Sequence, residues 1–309
     1  MIQKMPKVAL GTWQLLDPGK IKDIIPQALE VGYKHIDTAQ IYFNEKMIGD
    51  ALKKMDIPRE EYWITSKVTP INFKYNTYLS IEKSLEKLQT KYIDAMLLHS
   101  MSSDEENLLA YKELIKAREN GLIRNIGVSN FTIEAIEKIF TETGEYPKYN
   151  QIVASVIQRV EDLEKYCVEK DITLMGYSSI RPYYNPNAFY ENGKLSDSEI
   201  DVIDTMAKKY NVSPAAVLTK YIFDCNYVVL PKTSKVERLV SNFEITKLEI
   251  NEEDFKVLQG INKYTYKTWE AEMDKFKQMF NVPDQIKKQG IGITPEADKI
   301  FIELRNKMK

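Results

Sequence analysis

The feature that most constrains the fold is a regular alternation of short apolar segments with longer amphipathic ones. Eight strand-like segments alternate with helix-like segments at roughly even spacing along the first 260 residues. The strand-like segments are apolar enough to be buried on both faces, which is typical of a parallel sheet covered by helices. The alternation predicts an α/β chain. A closed (β/α)8 TIM barrel is the economical arrangement, and a doubly wound open sheet is the alternative.

The predicted elements follow from periodicity, capping residues and helix breakers. The strands are expected at 8–12, up to 37, 62–67, 93–99, 123–128, 149–153, 172–177 and 227–230. The helices are expected at 20–31, 45–54, 77–89, 104–119, 132–143, 160–170, 197–210 and from 213 onward. In the helix 77–89, Leu79, Leu85 and Leu88 are expected to face inward. The barrel domain is assigned to residues 1–262.

Residues 263–309 form a helical C-terminal extension, which we expect to pack on or near the barrel. A helix is predicted at 264–280, with Trp269, Met273 and Phe276 on one face, followed by a turn-rich connector at 281–293. The last helix is predicted at 295–309 with Thr294 as its cap. A solvated appendage, a lid and an oligomer contact remain equally open roles for this extension.

The charge balance and the cysteines exclude several classes of partner. Lys and Arg total 43 against 45 Asp and Glu, so neither a nucleic-acid nor a membrane-surface partner is implied. Cys167 and Cys225 lack metal-ligand spacing, and so few cysteines suit a reducing compartment. No signal core or membrane-spanning run is found. We therefore predict a cytoplasmic protein without a metal, as a monomer or small homo-oligomer.

Three successive predicted strands end in a titratable residue: Asp37, Lys67 and His99, with Tyr42 just beyond the first. A bland interpretation is that Asp37 caps the next helix and Tyr42 is a half-buried aromatic residue. However, the catalytic groups of a parallel barrel come from the carboxyl ends of several strands. An ammonium beside a phenol lowers the phenol pKa, and a carboxylate keeps that ammonium charged. The set therefore predicts an acid, Tyr42, that protonates a carbonyl oriented by His99 while a nicotinamide supplies hydride.

The motifs that carry these residues resemble the aldo-keto reductase family. They are Asp37-Thr38-Ala39 with Tyr42 and Asn44-Glu45, Ile64-Thr65-Ser66-Lys67, Leu97-Leu98-His99, residues 121–131, Asn150-Gln151 and Leu230-Pro231-Lys232-Thr233. They span roughly residues 5 to 260 in the family's order. The resemblance implies a barrel reductase of aldehydes or ketones that uses NAD(P)H, with Tyr42 as general acid and Asp37, Lys67 and His99 beside it.

The resemblance also implies a set of cofactor-binding residues. They are Gly11, Thr12, Trp13, Ser129, Asn130, Gln151, Tyr177, Lys232, Thr233, Arg238 and Asn242. Ser129, Asn130 and Gln151 are expected to bind the carboxamide, and Tyr177 to stack on the ring. Two cations and a hydroxyl at Lys232, Arg238 and Thr233 suit a 2′-phosphate, so NADPH is favoured over NADH.

The substrate is expected to be a small-molecule carbonyl lined by Trp13, Phe43, His99 and Met101. The chain departs from the family at Val68-Thr69-Pro70 and at Ser100 and Met101, and these changes thin the aromatic wall of the substrate pocket. It also departs at Ser241, where an acidic residue is usual, so weaker contacts to the adenine are expected. One alternative is a cofactor-binding regulatory or sensing subunit with little turnover. Another is a lyase with Lys67 as a Schiff-base amine, which Asp37 disfavours by keeping the lysine charged.

Overall fold

A computed structural model describes residues 4–185, 194–278 and 280–307. Within these residues lie eight strands: β1 Leu10–Gly11, β2 His35–Asp37, β3 Trp63–Val68, β4 Ile93–Leu98, β5 Ile123–Ser129, β6 Tyr149–Val153, β7 Thr173–Tyr177 and β8 Val228–Val229. They pair in chain order, each parallel to the next.

The sheet closes on itself. Val8 and Val229 form a parallel bridge, Gly11 and Lys232 form another, and the Ala9 N–H donates to the Val229 carbonyl at 2.9 Å. Closure explains why the first and last strands are shorter than predicted, because the two ends meet through single bridges rather than a continuous ladder. A Cβ on Gly11 would lie 2.8 Å from the Leu230 carbonyl oxygen, so this seam requires glycine. The predicted (β/α)8 barrel is confirmed, and the open sheet is excluded.

Helices follow the strands around the outside of the barrel. Those described are α1 Pro18–Val31, α2 Glu45–Lys54, α3 Thr77–Leu88, α4 Asp104–Glu119, α5 Ile133–Thr143, α6 Glu161–Glu169, α7 Arg181–Tyr184, α8 Asp197–Lys209, α9 Pro214–Asp224, α10 Glu237–Phe243, α11 Glu252–Gln259, α12 Tyr266–Gln278, α13 Asp284–Gln289 and α14 Pro295–Lys307. The predicted caps are present, since Thr132 accepts from the Ala135 N–H and Ser213 from the Ala216 N–H.

The prediction that Leu79 faces inward is wrong. Its side chain is 42% exposed, whereas Ile81 is completely buried. The buried residues of α3 are Thr77, Ser80, Ile81, Ser84, Leu85 and Leu88. Leu79 lies two residues before Ile81, about 200° around a helix of 3.6 residues per turn, and so points to solvent.

Two apolar layers lie on either side of the strands. The larger one fills the space between the sheet and the surrounding helices. The smaller one fills the barrel interior with side chains that include Trp63, Leu97, Tyr149 and Met175. Because the interior is packed, it leaves no pore, and a site can form only at a rim.

The C-terminal extension contacts the barrel along its length. Trp269 and Met273 of α12 are buried in the outer apolar layer, as their shared face predicts. The predicted connector at 281–293 is wrong in one respect, because it contains the helix α13. Pro283 precedes that helix and Gly290, at φ 75°, ends it, and both signals were present in the sequence.

A buried ion pair anchors α13 to the barrel. Lys287 Nζ lies 2.7 Å from Glu106 Oε1 of α4, and both side chains are almost fully enclosed. Lys87 Nζ of α3 also donates to the Gly292 carbonyl at 2.7 Å. Among the described residues, no helix is long and apolar enough to cross a membrane.

Candidate active site

The four predicted catalytic residues meet at the carboxyl-terminal rim of the barrel. Asp37 is the last residue of β2, Lys67 lies near the end of β3, and His99 follows β4 directly. Tyr42 is the last residue of a 3₁₀ turn, Gln40–Tyr42, that leaves β2. Neighbouring parallel strands end at the same rim, which is why residues so far apart in sequence come together.

Lys67 is the centre of this group. Its Nζ donates to Asp37 Oδ1 at 2.7 Å and to the Thr38 carbonyl at 2.8 Å, and lies 3.4 Å from Tyr42 Oη. The ring of His99 is edge-on to the ring of Tyr42, with 5.5 Å between centroids. Lys67 is completely buried, Asp37 is 3% exposed, His99 8% and Tyr42 9%. A phenol, an ammonium and an imidazole thus surround one small space.

The expectation that the neighbouring ammonium leaves Tyr42 with a lowered pKa is wrong for this geometry. Burial, and then the nearby Asp37 carboxylate, raise the Tyr42 pKa well above its ordinary value. Lys67 Nζ lies 3.4 Å from the phenol oxygen and only 2.7 Å from Asp37 Oδ1, so the carboxylate offsets the ammonium that would otherwise favour the phenolate. The phenol therefore keeps its proton across the physiological range, which is the form an acid needs.

His99 is neutral in this site. Burial, and then the charge of Lys67, hold the His99 pKa well below its ordinary value. Within the described part of the chain, its buried Nδ1 has no hydrogen-bond partner. A neutral imidazole carries one N–H, so it can donate one hydrogen bond to an oxygen without giving up a charge. Burial likewise lowers the pKa of Lys67, and Asp37 opposes that effect.

The residues expected at the carboxamide form one hydrogen-bonded group beside Asp37. Asn130 Nδ2 donates to the His99 carbonyl at 3.3 Å, and Tyr177 Oη donates to Asn130 Oδ1 at 2.9 Å. Gln151 Nε2 donates to Asp37 Oδ2 at 2.8 Å. Ser129 Oγ donates to the Gln151 backbone carbonyl at 2.8 Å. Sequence reasoning did not foresee that Gln151 would hold the second oxygen of Asp37.

The residues expected at the phosphate follow β8 on the same rim. Lys232 and Arg238 are exposed, Asn242 is half-buried and Thr233 is buried. Partial desolvation of its ammonium by the surrounding protein, and then the charge of Lys20, lower the pKa of Lys232. Lys20, from the first turn of α1, is thus a further cation near this place that the motifs did not mark. The group is chemically suited to an anion.

Of the residues expected to bind substrate, Trp13 and Phe43 lie close to Tyr42, whereas Met101 lies in the outer apolar layer. Trp13 is 41% exposed and its ring lies 4.7 Å from that of Tyr42, between centroids. Thr12 is buried, with its hydroxyl donating to the Asp37 carbonyl at 2.9 Å. Phe43 faces Phe301 of the extension at 6.3 Å. Met101 lies instead in the outer apolar layer, where its sulfur accepts from Thr132.

Part of the wall around Tyr42 comes from residues that motif matching did not identify. Tyr42 belongs to an apolar cluster whose other buried members are Ala39, Ile41, Ile71, Phe280, Ile291, Ala297 and Phe301. The last four come from the extension, so the extension covers the catalytic rim. The sequence signal was a C-terminal segment with apolar residues at helical spacing. That spacing predicts an amphipathic helix but does not predict which face of the barrel the helix covers. Among the described residues, no cluster with metal-ligand composition is found.

The pH dependence of stability should follow the two histidines, which are the only ones in the chain. Burial lowers the pKa of His35 to about 4 and holds that of His99 well below its ordinary value. Below pH ~6.5 the unfolded chain binds these protons and the fold does not, so stability falls as the pH falls. Between pH 7 and pH 5 the free energy of unfolding should drop by about 2 kcal/mol through His35, and further through His99.

Urea denaturation at the two pH values measures this drop, and His35→Gln should remove the His35 share. A free energy of unfolding that does not change over this range would contradict the burial of neutral imidazoles.

Comparisons with known proteins show the family to which the chain is similar. The model of the Aldo/keto reductase family matches residues 7–263. A methylglyoxal reductase of Yersinia pestis is 33% identical over 260 residues, covering 84% of this chain and 89% of that protein. A glyoxal reductase of Bacillus subtilis is 32% identical over 261 residues, covering 84% and 90%. The crystal structure of a Bombyx mori aldo-keto reductase in complex with NADP superimposes with a TM-score of 0.75 at 26% identity, covering 84% and 90%.

Proposed function

The chain belongs to the aldo/keto reductase family, and on that premise we propose that it reduces small aldehydes or ketones to alcohols with NADPH, using Tyr42 as the general acid. The observation that carries the proposal is the placement of the Tyr42 phenol 3.4 Å from Lys67 Nζ and edge-on to His99. Carbonyl reduction is the activity of the family, and the acid and the cofactor preference are our assignments.

The residues on the rim fit a nicotinamide cofactor. An amide ligand is matched by amides and hydroxyls, which are what Asn130, Gln151 and Ser129 present beside Asp37. When bound, NADPH supplies the hydride that the protein itself cannot. Lys232, Thr233 and Arg238 would hold the phosphate. We propose NADPH over NADH because two cations near a hydroxyl favour an additional phosphate.

The protein's own groups would act on the carbonyl oxygen. His99 donates a hydrogen bond to that oxygen and thereby orients it, since a neutral imidazole offers one N–H. Tyr42 then gives its proton to the oxygen as negative charge develops there. Lys67 stabilises the phenolate that remains, and Asp37 holds the ammonium in place. Trp13 and the extension would cover the substrate and so limit the access of water during the proton transfer.

The substrate we propose is a short carbonyl compound, with 2-oxoaldehydes as the leading class. Tyr42 and His99 are each less than a tenth exposed, so we expect a substrate that reaches them to be small. The relatives named as methylglyoxal and glyoxal reductases support this class. Its chemistry also suits the site, because an aldehyde next to a second carbonyl accepts hydride readily.

The test is turnover. Purified protein should oxidise NADPH in the presence of methylglyoxal or glyoxal, and more slowly with bulky ketones or quinones. Titration with NADPH and NADH, followed by quenching of intrinsic fluorescence, should give the tighter dissociation constant for NADPH. Absence of turnover across the carbonyl panel, with tight NADPH binding retained, would overturn the reductase proposal.

Tight NADPH binding without turnover would support a second candidate function, that of a cofactor-binding regulatory or sensing subunit. The observation that favours this candidate is the extension itself, which contributes Phe280, Ile291, Ala297 and Phe301 to the apolar cluster that contains Tyr42. A Schiff-base lyase is disfavoured because Lys67 is bonded to Asp37 at 2.7 Å. The cytoplasmic location and the monomeric or small oligomeric state expected from the sequence remain predictions.

Cofactor choice should depend on Lys232. Lys232→Ala and Arg238→Ala are each expected to weaken NADPH binding about tenfold, because each removes a charge-assisted hydrogen bond to phosphate. NADH lacks that phosphate, so its dissociation constant should change little. Lys247→Ala serves as the control, since Lys247 is an exposed lysine paired with Glu244 at 3.6 Å. Equal weakening of NADPH and NADH would contradict the phosphate assignment.

A further inference from the structure

Gln40 is a buried side chain that the proposed mechanism does not use. It begins the turn that ends at Tyr42 and is 2% exposed. Its Nε2 donates to the Ser80 carbonyl at 3.1 Å and to Ser84 Oγ at 3.3 Å, both on α3. Its Oε1 accepts from the Thr69 N–H at 3.3 Å. The amide therefore ties the turn to α3 and to the segment after β3.

Asn72 connects Gln40 to the extension. Its Nδ2 donates to Gln40 Oε1 at 3.1 Å and to the Ile291 carbonyl at 2.9 Å. Its Oδ1 accepts from the Ile291 N–H at 2.8 Å. Asn72 is completely buried, so these bonds do not exchange with water. The Asn72 side chain thus hydrogen-bonds both the N–H and the carbonyl of residue 291, and it also hydrogen-bonds Gln40.

The turn needs such support. Phe43, directly after Tyr42, has φ 56° in the left-handed region, which costs a residue with a side chain roughly 1 kcal/mol. The turn has its own hydrogen bonds, from the Tyr42 N–H to the Ala39 carbonyl and from the Phe43 N–H to the Gln40 carbonyl, at 3.0 and 3.3 Å. A strained backbone persists only where its surroundings hold it. Gln40 is the side chain of this turn that bonds both to α3 and to the segment after β3.

We propose that Gln40 and Asn72 are positioning residues that couple the docking of the extension to the placement of Tyr42. This inference rests on the proposed role of Tyr42 as general acid. With Ile291 docked on Asn72, Gln40 is held and the phenol stays 3.4 Å from Lys67. With the extension undocked, Asn72 loses both backbone partners, and the turn that carries the acid loses one of its fixed points. The extension then acts on the rate of the chemical step as well as on the shape of the pocket.

Two variants with matched contacts separate this coupling from simple loss of docking. Asn72→Ala removes the bonds to Ile291 and the link to Gln40. Asn76→Ala also removes two bonds to the extension, from Nδ2 to the Lys287 carbonyl at 2.7 Å and to the Lys288 carbonyl at 3.2 Å. Asn76, however, makes no bond to Gln40 in the structure. The second variant therefore loosens the extension at residues 287 and 288, while the bonds between Asn72 and Ile291 that the proposal requires remain.

Asn72→Ala is expected to lower kcat about tenfold or more, since small misplacement of a reacting group is costly. Its NADPH dissociation constant should stay unchanged, and hydrogen exchange of the backbone at 39–45 should become faster. Asn76→Ala should change kcat less than twofold and leave the exchange at 39–45 as in the parent. Unchanged kcat and exchange in Asn72→Ala, or equal losses in both variants, would overturn the coupling.

If Asn72→Ala fails to fold, the variant Gln40→Met tests the coupling instead. It leaves the bonds between Asn72 and Ile291, so exchange at 284–294 should match the parent while exchange at 39–45 rises and kcat falls. If kcat and exchange at 39–45 both stay at the parent's values, the coupling is overturned. If the parent protein itself reduces no carbonyl, the proposed function fails, and the exchange measurements alone still decide whether residue 291 controls the turn.

Discussion

Replacing Tyr42 with phenylalanine is expected to lower kcat by about 1,000-fold, the typical contribution of a positioned general acid. The change removes one oxygen atom from a side chain that is 9% exposed and packed against Trp13 and His99. The ring and its packing remain. The carbonyl oxygen then develops negative charge with His99 as its only remaining partner among the four catalytic residues. The measurement is NADPH oxidation at saturating 2-oxoaldehyde.

The dissociation constant for NADPH should be the same in Tyr42→Phe and the parent, which separates the loss of chemistry from the loss of binding. Tyr33→Phe is the matched control. Tyr33 is also fully buried and donates one hydrogen bond, at 3.2 Å to the Leu239 carbonyl, but it lies in the outer apolar layer. The Tyr33→Phe variant should reduce the 2-oxoaldehyde at the parent's rate. Full activity in Tyr42→Phe would refute the acid assignment.

The dependence of reduction on pH follows from the same phenol. Because burial and Asp37 raise the Tyr42 pKa, the phenol stays protonated through the neutral range. The rate of carbonyl reduction should therefore not fall in that range through deprotonation of Tyr42. This differs from the acidic phenol that the sequence predicts. The sequence places an ammonium beside a phenol, but it does not show that the phenol is buried or how close the Asp37 carboxylate lies. Both of these raise the pKa of Tyr42.

The barrel was predictable because its signals are local. Apolar runs of four to seven residues alternate with helices whose caps, such as Thr132 and Ser213, stand in the sequence. The rim residues followed from the same rule, since a strand's last residue is fixed once the strand is found. The first and last strands were overestimated because their pairing ends in the bridge between Gly11 and Lys232. Such a seam depends on closure, which no single segment encodes.

The extension shows where local signals end. Its helices α12 and α14 are close to the predicted ranges, and Thr294 accepts from the Ala297 N–H as its cap role requires. The face it covers could not be predicted, because its partners Asn72 and Glu106 lie about 180 to 220 residues away and carry no motif. The segment after β3, which begins with the departures at Val68-Thr69-Pro70, contacts the extension through Asn72 and Ile291.

Replacing Lys67 with methionine is expected to abolish turnover and to lower the free energy of unfolding by about 3–5 kcal/mol, because the change leaves a buried carboxylate without its cation. Lys67 is completely buried and its partner Asp37 is 3% exposed, so water does not screen the pair. Gln151 still donates to Asp37 Oδ2 at 2.8 Å, which keeps the loss from being larger. Urea denaturation measures the stability, and NADPH oxidation measures turnover.

The double variant Lys67→Met with Asp37→Asn separates the structural role of this pair from its catalytic role. Asparagine keeps an oxygen for the Gln151 amide and carries no charge, so most of the lost stability should return. Turnover should not return, because no ammonium then stands beside Tyr42 to stabilise the phenolate. A double variant less stable than Lys67→Met alone would show that Asp37 is not held by that cation. Restored turnover would show instead that the phenol acts without the ammonium, and the proposed chemistry would need a different source of charge stabilisation.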